Sequence, residues 1–183
     1  MKDKVTTSWQ SRVIHQVCEA VRNDPFWGSR LSDVVHDKLS NNDVHLAVFV
    51  EPFLQFMLEG KKTVESRFSK HLRPPHKRVK KGDIILLKRS GGAVVGICQI
   101  GSVWFYTLDP EALQAIRDEF AWALCASSPD FWRDRRYMSF ATLMRVSNVV
   151  KIGPVPCAKQ DRRGWVVLTH RDSRDGLLGR TNE

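Results

Sequence analysis

The apolar positions within the first forty residues predict two short helices. Apolar residues recur at helical spacing between positions 13 and 21, after Ser8, a residue type that caps the first turn of a helix. A second apolar set at 31–39 predicts another helix, which ends before the polar run at 41–43. We therefore interpret residues 1–43 as an N-terminal helical extension.

From position 44 onward, short apolar runs separated by turn residues predict a strand-rich domain. The sequence Ser90-Gly91-Gly92 is typical of a hairpin turn between two such runs. Helices are predicted to begin at Pro52 and at Pro110, because proline is favoured in the first turn of a helix. The predicted strands cover residues 45–50, 62–68, 84–88, 93–103, 140–152 and 165–168.

This order of elements predicts an α+β fold, a small mixed β-barrel of about six strands with flanking helices. A doubly wound parallel sheet is disfavoured, because the chain has too few full-length β-helix-β crossovers. The barrel is expected to span residues 44–169, and residues 170–183 are expected to form a flexible tail.

The formal net charge of +9 has one source in the sequence. Residues 61–89 contain eleven Lys or Arg and only two acids, Glu65 and Asp83, whereas the extension 1–43 has no net charge. A focused positive charge attracts polyanions, although a basic loop that binds no ligand is the simpler interpretation. A DNA-reading helix-turn-helix over residues 8–40 is disfavoured, since such helices usually carry Lys and Arg.

Other features of the sequence narrow the class of protein. No apolar run reaches the roughly 20 residues needed to cross a bilayer, and the N-terminus has no secretory h-region. The four cysteines are far apart, and neither they nor the six histidines have metal-ligand spacing. We therefore expect a cytoplasmic protein with reduced thiols, no structural metal and no cofactor.

One motif carries the most specific signal. Gly60 to Arg67 reads Gly-Lys-Lys-Thr-Val-Glu-Ser-Arg, of the form G-x-K-x-x-E-x-R, directly after a predicted amphipathic helix. The turn Lys80-Lys81-Gly82-Asp83, the run Val94-Val95-Gly96 and the late run from Arg163 to Leu168 follow in order. Together these segments resemble the ASCH family, whose members share the PUA-like fold, over roughly residues 45–169.

The residue chemistry of the motif indicates a ligand cleft. Thr63, Glu65 and Arg67 are expected to share one face of a strand, with Lys62 at the strand entrance. The planar fork of Arg67 is suited to clamping a phosphate or a base edge. The alternative is a solvated Glu65–Arg67 ion pair, which would contribute little.

Basic and aromatic neighbours extend this candidate site. Tryptophans are more often core residues, and Trp9, Trp104 and Trp122 are expected to be structural. Tyr137 and Trp165 each follow basic residues, as in a groove on which bases stack. The full set of predicted ligand-binding residues is Lys62, Thr63, Glu65, Arg67, Arg73, Lys77, Arg78, Tyr137, Arg163 and Trp165.

The resemblance leaves catalysis open. One branch of the family comprises amidohydrolases that deacetylate N4-acetylcytidine with a Lys, a Thr and a distant Glu. Lys62 matches the first of these, but Glu65 occupies the position of the Thr, and Thr63 lies two residues away. Glu119, or Asp118 beside it, is a loose match to the distant acid. Other members of the family cleave RNA.

Two functions of different class follow. The first is a module that binds RNA or a nucleotide-like ligand, with DNA less favoured, through segment 61–89 and the barrel mouth. The second is a small hydrolase of a modified nucleoside or of RNA, with Lys62 and Glu65 as the reactive pair. The extension 1–43 would serve either as a cap on a barrel edge or as a lid on the cleft.

Overall fold

The computed structural model describes residues 8–36 and 42–169 of the chain. Five helices and six strands occur in these ranges. The helices are α1 (Trp9–Val21), α2 (Trp27–His36), α3 (Phe53–Leu58), α4 (Pro110–Phe120) and α5 (Pro129–Arg133). The strands are β1 (Val44–Phe49), β2 (Val64–Ser69), β3 (Ile84–Arg89), β4 (Val94–Thr107), β5 (Phe140–Val155) and β6 (Trp165–Val167).

The strands form one curled sheet in the order β2-β5-β4-β3-β1-β6. Only the β1–β3 pair is parallel, and the other neighbours are antiparallel. The long β4–β5 pair changes register three times along its length, and bulges of this kind bend a sheet. The sheet therefore curls into a half-barrel with β2 and β6 at its two ends.

Alternate side chains of the sheet belong to different cores. Leu46 and Leu86 pack on α1 and α2, whereas Ala47 and Leu87 face α3 on the other side. This alternation follows from the two-residue repeat of a strand. Gly96 is closely packed, because an added Cβ would be 2.7 Å from the Leu58 side chain and 3.1 Å from the Val150 carbonyl oxygen.

The described part of the N-terminal extension covers one face of the sheet. Its buried side chains, among them Val17, Trp27 and Leu31, join those of β1, β3 and β4 in a single core. Ser8 caps α1, as its position in the sequence predicted, by accepting a hydrogen bond from the Ser11 backbone N–H. Residues 8–36 thus pack on a face of the sheet and form part of its core.

A third core lies under the C-terminal helices. Ile116, Phe120 and Leu124 pack against Val64 and Leu143 of β2 and β5. The predicted strands and helices are found near their expected places, with differences of at most six residues at their ends. The predicted tail 170–183 lies outside the described residues.

Two features of the α4–α5 region differ from what the sequence suggested. The short helix α5 was not predicted; Ser128 caps it, and its Trp132 is buried and donates its indole N–H to the Ala126 carbonyl at 2.8 Å. Trp122 was expected to be structural, but it is 93% exposed, because α4 ends at Phe120 and the following turn directs it outward.

None of the described helices has the length and apolar character to cross a membrane.

We expect Leu31→Ala to lower the free energy of unfolding by about 2–5 kcal/mol, because it removes a fully buried side chain between α2 and the sheet. Asp33→Ala, at an exposed position of the same helix, is the matched control and should change stability by less than about 0.5 kcal/mol. Urea unfolding followed by circular dichroism measures both. Equal effects of the two substitutions would mean that the extension does not belong to the folded core.

Candidate functional site

The guanidinium of Arg67 links the two ends of the curled sheet. Its Nη2 donates to the Val48 carbonyl at 3.0 Å, and its Nη1 donates to the Gly164 carbonyl at 3.2 Å. Arg67 belongs to β2 at one end of the sheet, whereas Val48 lies in β1 and Gly164 precedes β6 at the other. The rings of Phe49 and Trp165 flank the guanidinium, with centroids 4.9 and 5.4 Å from its carbon.

The Glu65 carboxylate lies close to both Arg67 and Lys62. The Arg67 Nε lies 2.8 Å from Glu65 Oε1, although its N–H has no hydrogen-bond acceptor in line with it. Lys62 Nζ lies 3.4 Å from the other Glu65 oxygen and donates to the carbonyls of Val64 at 2.7 Å and Leu124 at 3.3 Å. The Lys62 and Glu65 side chains are almost fully buried. The Glu65–Arg67 ion pair is therefore mostly buried, with the Arg67 side chain 21% exposed, and is not the solvated surface pair considered above.

Burial lowers the pKa of Lys62, because a desolvated ammonium is disfavoured, and the nearby Glu65 opposes this shift. The ammonium has three hydrogens and three acceptors around it, two carbonyls and one carboxylate. The sequence motif thus forms a compact charge cluster in which acceptors surround the Lys62 ammonium.

A cavity of about 330 Å³, here called the inner recess, lies on one side of Arg67. The guanidinium of Arg135 lines it, with its carbon 3.3 Å from the Phe131 ring centroid and 5.2 Å from that of Phe68. Arg135 Nη1 donates to the Phe131 carbonyl at 2.6 Å. The remaining lining includes Phe49, Phe53, Lys62, Glu65, Asp134 and Met138.

A larger cavity of about 660 Å³, here called the outer groove, lies on the other side. Four arginines line it, and none of the described residues that line it is acidic. Arg163 is held by Asp161 through its Nε and Nη2, each 3.0 Å from a carboxylate oxygen. Arg67 and Phe68 line both cavities, so the recess and the groove adjoin; together they are called the cleft.

Two of the groove arginines have free guanidinium groups. Within residues 8–36 and 42–169, the side chains of Arg73 and Arg162 have no hydrogen bond or ion pair. Arg73 lies in the loop after β2, which His76 fastens to the sheet through a 3.1 Å contact between its Nδ1 and Thr142 Oγ1. His76 also packs on Phe105, and this anchor holds the loop beside the groove.

Trp165 forms a fixed wall of the cleft. Its indole N–H donates to His45 Nδ1 at 3.3 Å, which assigns the ring proton of a neutral His45 to Nε2, 3.1 Å from Asp83 Oδ2. All three side chains are buried. The expectation of an open stacking platform at Trp165 is wrong, because Arg67 packs over its ring.

The structure brings together part of the predicted set. Lys62, Glu65, Arg67, Arg73, Arg163 and Trp165 line the recess or the groove. Lys77, Arg78 and Glu119 are exposed and line neither cavity. Thr63 is exposed and precedes β2, so it does not share the Glu65 face, and Tyr137 is 65% exposed beside Arg136.

Sequence reasoning missed two arginines that line the cavities. Arg135 lies two residues after α5, a helix that was not predicted. Arg162 stands beside Arg163 in the sequence, yet only the fold shows that it faces the groove. The phenyl rings of the inner recess had no signal beyond ordinary apolar pattern.

Comparisons with known proteins identify the fold. The crystal structure of an ASCH protein from Zymomonas mobilis matches with a TM-score of 0.56 and 15% identity, over 74% of this chain and 95% of that chain. A tyrosine-to-phenylalanine variant of the same protein matches with a TM-score of 0.55 and 14% identity, over 74% of this chain and 97% of its own. No family model and no curated protein matches the sequence. The chain has the ASCH fold, of the PUA-like type, as the motif predicted.

We expect Arg67→Lys to lower the free energy of unfolding by about 1–3 kcal/mol, because one ammonium does not reproduce the fork that serves two carbonyls and leaves at least one without its donor. Arg73→Lys makes the same change at an arginine without partners and should leave stability unchanged within about 0.5 kcal/mol. Urea unfolding compares the two. A neutral Arg67→Lys would show that the link between the sheet ends is not stabilising.

We expect Lys62 to titrate at a lower pH than Lys61, because burial lowers the pKa of Lys62 whereas the ion pair with Glu59 raises that of Lys61. Carbon-detected NMR of the lysine Cε atoms, assigned with Lys62→Met and Lys61→Met, measures both midpoints. Between the lowered pKa and the ordinary lysine value the unfolded chain binds more protons, so the Lys62 contribution to stability rises with pH in that window. A Lys62 midpoint at or above that of Lys61 would contradict the burial argument.

Proposed function

We propose that the chain binds single-stranded RNA or a nucleotide-like ligand in the cleft. The outer groove takes the phosphate backbone, and the inner recess takes one base. The observation that carries this proposal is the pair of free guanidinium groups, Arg73 and Arg162, that line a groove without lining carboxylates. Arginine binds phosphate through a planar fork and is the residue of choice for this task.

The charge pattern supports a polyanion over a small neutral ligand. Ion pairs with Glu65 and Asp161 offset much of the positive charge of Arg67 and Arg163, so Arg73 and Arg162 supply the unpaired positive charge of the groove. Clefts lined by one sign of charge concentrate oppositely charged ligands. The basic segment 61–89 therefore has a groove-lining member in Arg73, whereas its Lys62 and Lys88 are buried.

The size and lining of the inner recess suit a base. Its volume of about 330 Å³ lies at the lower end of the range for small-molecule pockets, roughly 300–1,000 Å³. Four phenylalanines are among its lining residues, and their rings provide apolar surface for a planar heterocycle. Because Arg67 and Phe68 border both cavities, one nucleotide can place its phosphate in the groove and its base in the recess.

The hydrolase is the second candidate, and one observation favours it. Lys62 is a buried lysine with a lowered pKa beside Glu65 in a ligand-sized recess, an arrangement used for acid–base catalysis. The three acceptors around its ammonium count against this role, since a base needs a free electron pair. Glu119, the loosely matched acid, lies outside the recess. We therefore place the hydrolase below the binding module.

We expect a labelled single-stranded RNA hexamer to bind, and Arg73→Ala and Arg162→Ala each to weaken binding by roughly tenfold, because each removes a charge-assisted phosphate contact. Each substitution should also reduce the slope of log affinity against log salt by about 0.7. Fluorescence anisotropy at several salt concentrations measures both effects, with the matching DNA in parallel.

Arg145→Ala is the matched control, because it removes one exposed arginine that lines neither cavity. Equal weakening by all three substitutions would indicate non-specific attraction to the net charge and would count against the groove. Gel analysis of the same samples tests the hydrolase: cleavage of the RNA that disappears in Lys62→Ala would favour the enzyme over the binding module.

A further inference from the structure

A third cavity, here called the α4–α5 pocket, shares no lining residue with the cleft. Its volume of about 340 Å³ is close to that of the inner recess. Leu113 and Arg117 of α4 line it together with Trp132 and Arg133 of α5, and Arg136 lines it just after α5. The other lining residues are two prolines and a glutamine, so none of the described residues that line the pocket is acidic.

Two arginines of the α4–α5 pocket are available to an anion. Within residues 8–36 and 42–169, the side chains of Arg117 and Arg136 have no hydrogen bond and no ion pair. Both residues are exposed, so an acceptor from solution can reach them. Arg133 differs, because Asp130 Oδ1 lies 2.7 Å from its Nη1 and offsets its charge. The pocket thus combines two unpaired guanidinium groups with a partly apolar lining.

The segment 131–138 separates the α4–α5 pocket from the inner recess. Its residues are divided between the two cavities: Phe131, Asp134, Arg135 and Met138 line the recess, whereas Trp132, Arg133 and Arg136 line the pocket. Neighbouring residues of one chain have Cα atoms only about 3.8 Å apart. One extended ligand can therefore reach both cavities by crossing this segment.

Tyr137 lies at the point where such a ligand would cross. It stands between Arg136, which lines the pocket, and Met138, which lines the recess, and it is 65% exposed. The Arg136 guanidinium carbon lies 4.7 Å from the centroid of its ring. An exposed ring is a surface on which a base stacks, and a guanidinium beside it is suited to the neighbouring phosphate.

A nucleic acid strand matches this arrangement better than an acidic peptide does. A strand carries a negative charge and a flat base in every nucleotide, so it uses both the arginines and the aromatic ring. An acidic peptide would pair with Arg117 and Arg136 but would leave the exposed ring of Tyr137 without a role.

We propose that the α4–α5 pocket is a second nucleotide subsite, reached by an RNA strand that leaves the inner recess, stacks a base on Tyr137 and places its next phosphates on Arg117 and Arg136. This inference rests on the proposed binding of RNA in the cleft. It extends the binding path from the outer groove through the recess to the far side of α5.

The test uses the full chain and labelled single-stranded uridine oligomers of three and twelve nucleotides, with binding measured by fluorescence anisotropy. Arg117→Ala and Arg136→Ala should each weaken binding of the longer oligomer by roughly tenfold, because each removes a phosphate contact, and should change binding of the shorter one by less than about twofold. Arg73→Ala should weaken binding of both oligomers. Each variant is compared with the wild-type chain at one length, so the larger number of binding registers on the longer strand cancels.

The stacking step has its own pair of variants. Tyr137→Ala should weaken binding of the longer oligomer by about fivefold or more, whereas Tyr137→Phe, which keeps the ring, should bind like the wild-type chain. Arg145→Ala is the control for net charge, because Arg145 is exposed and lines none of the three cavities. Circular dichroism verifies that each variant is folded, as expected for substitutions at exposed positions.

The outcomes distinguish the second subsite from the proposed function. If Arg73→Ala weakens binding of both oligomers while Arg117→Ala and Arg136→Ala weaken neither, the second subsite is wrong and the cleft stands. Equal weakening of both oligomers by Arg117→Ala would make the pocket a separate site and would overturn the continuous path. Binding of a hexaglutamate peptide that requires Arg117, when RNA binding does not, would assign the pocket to an acidic peptide instead. If neither oligomer binds, both proposals fail.

Discussion

The structure depends on one problem of sheet geometry: a curled six-stranded sheet that does not close leaves polar backbone at both of its ends. Arg67, in β2 at one end, donates hydrogen bonds to the backbone carbonyls of Val48 and Gly164 at the opposite end. A guanidinium suits the task because its fork serves two carbonyls at fixed angles. The same link divides the open side of the half-barrel into two cavities. The shape of the candidate site is therefore a consequence of how the fold is closed.

Closing the sheet with a charged group has an electrostatic consequence. Burying Arg67 and Lys62 is costly without a counter-charge, and Glu65 supplies one within 3.4 Å of both. Two cations and one carboxylate leave the cluster with an excess positive charge at the centre of the cleft. That excess favours an anionic ligand before any groove residue is considered. Arg73, Arg162 and Arg135 extend the same field to either side.

Local sequence patterns predicted the parts of the fold that depend on interactions between residues close together in the chain. The strands, the Ser8 cap and the motif residues Lys62, Glu65 and Arg67 were found because period, capping chemistry and spacing are written within a few residues. The α5 helix was not predicted, since its five residues carry no helical period. Arg135, which follows α5, was therefore not recognised as a candidate site residue. Arg162 was missed because only the β1–β6 pairing brings its loop opposite β2. The prediction that Trp122 is structural was wrong, because the burial of Trp122 depends on where α4 ends.

The two classes of function make different demands on the same cluster. A binding cleft needs charges that are fixed in place, and the acceptors around Lys62 provide this. Proton transfer by Lys62 would require it to release one of these acceptors at the moment of reaction. The cluster that stabilises the fold is thus better suited to holding a ligand than to exchanging protons with it.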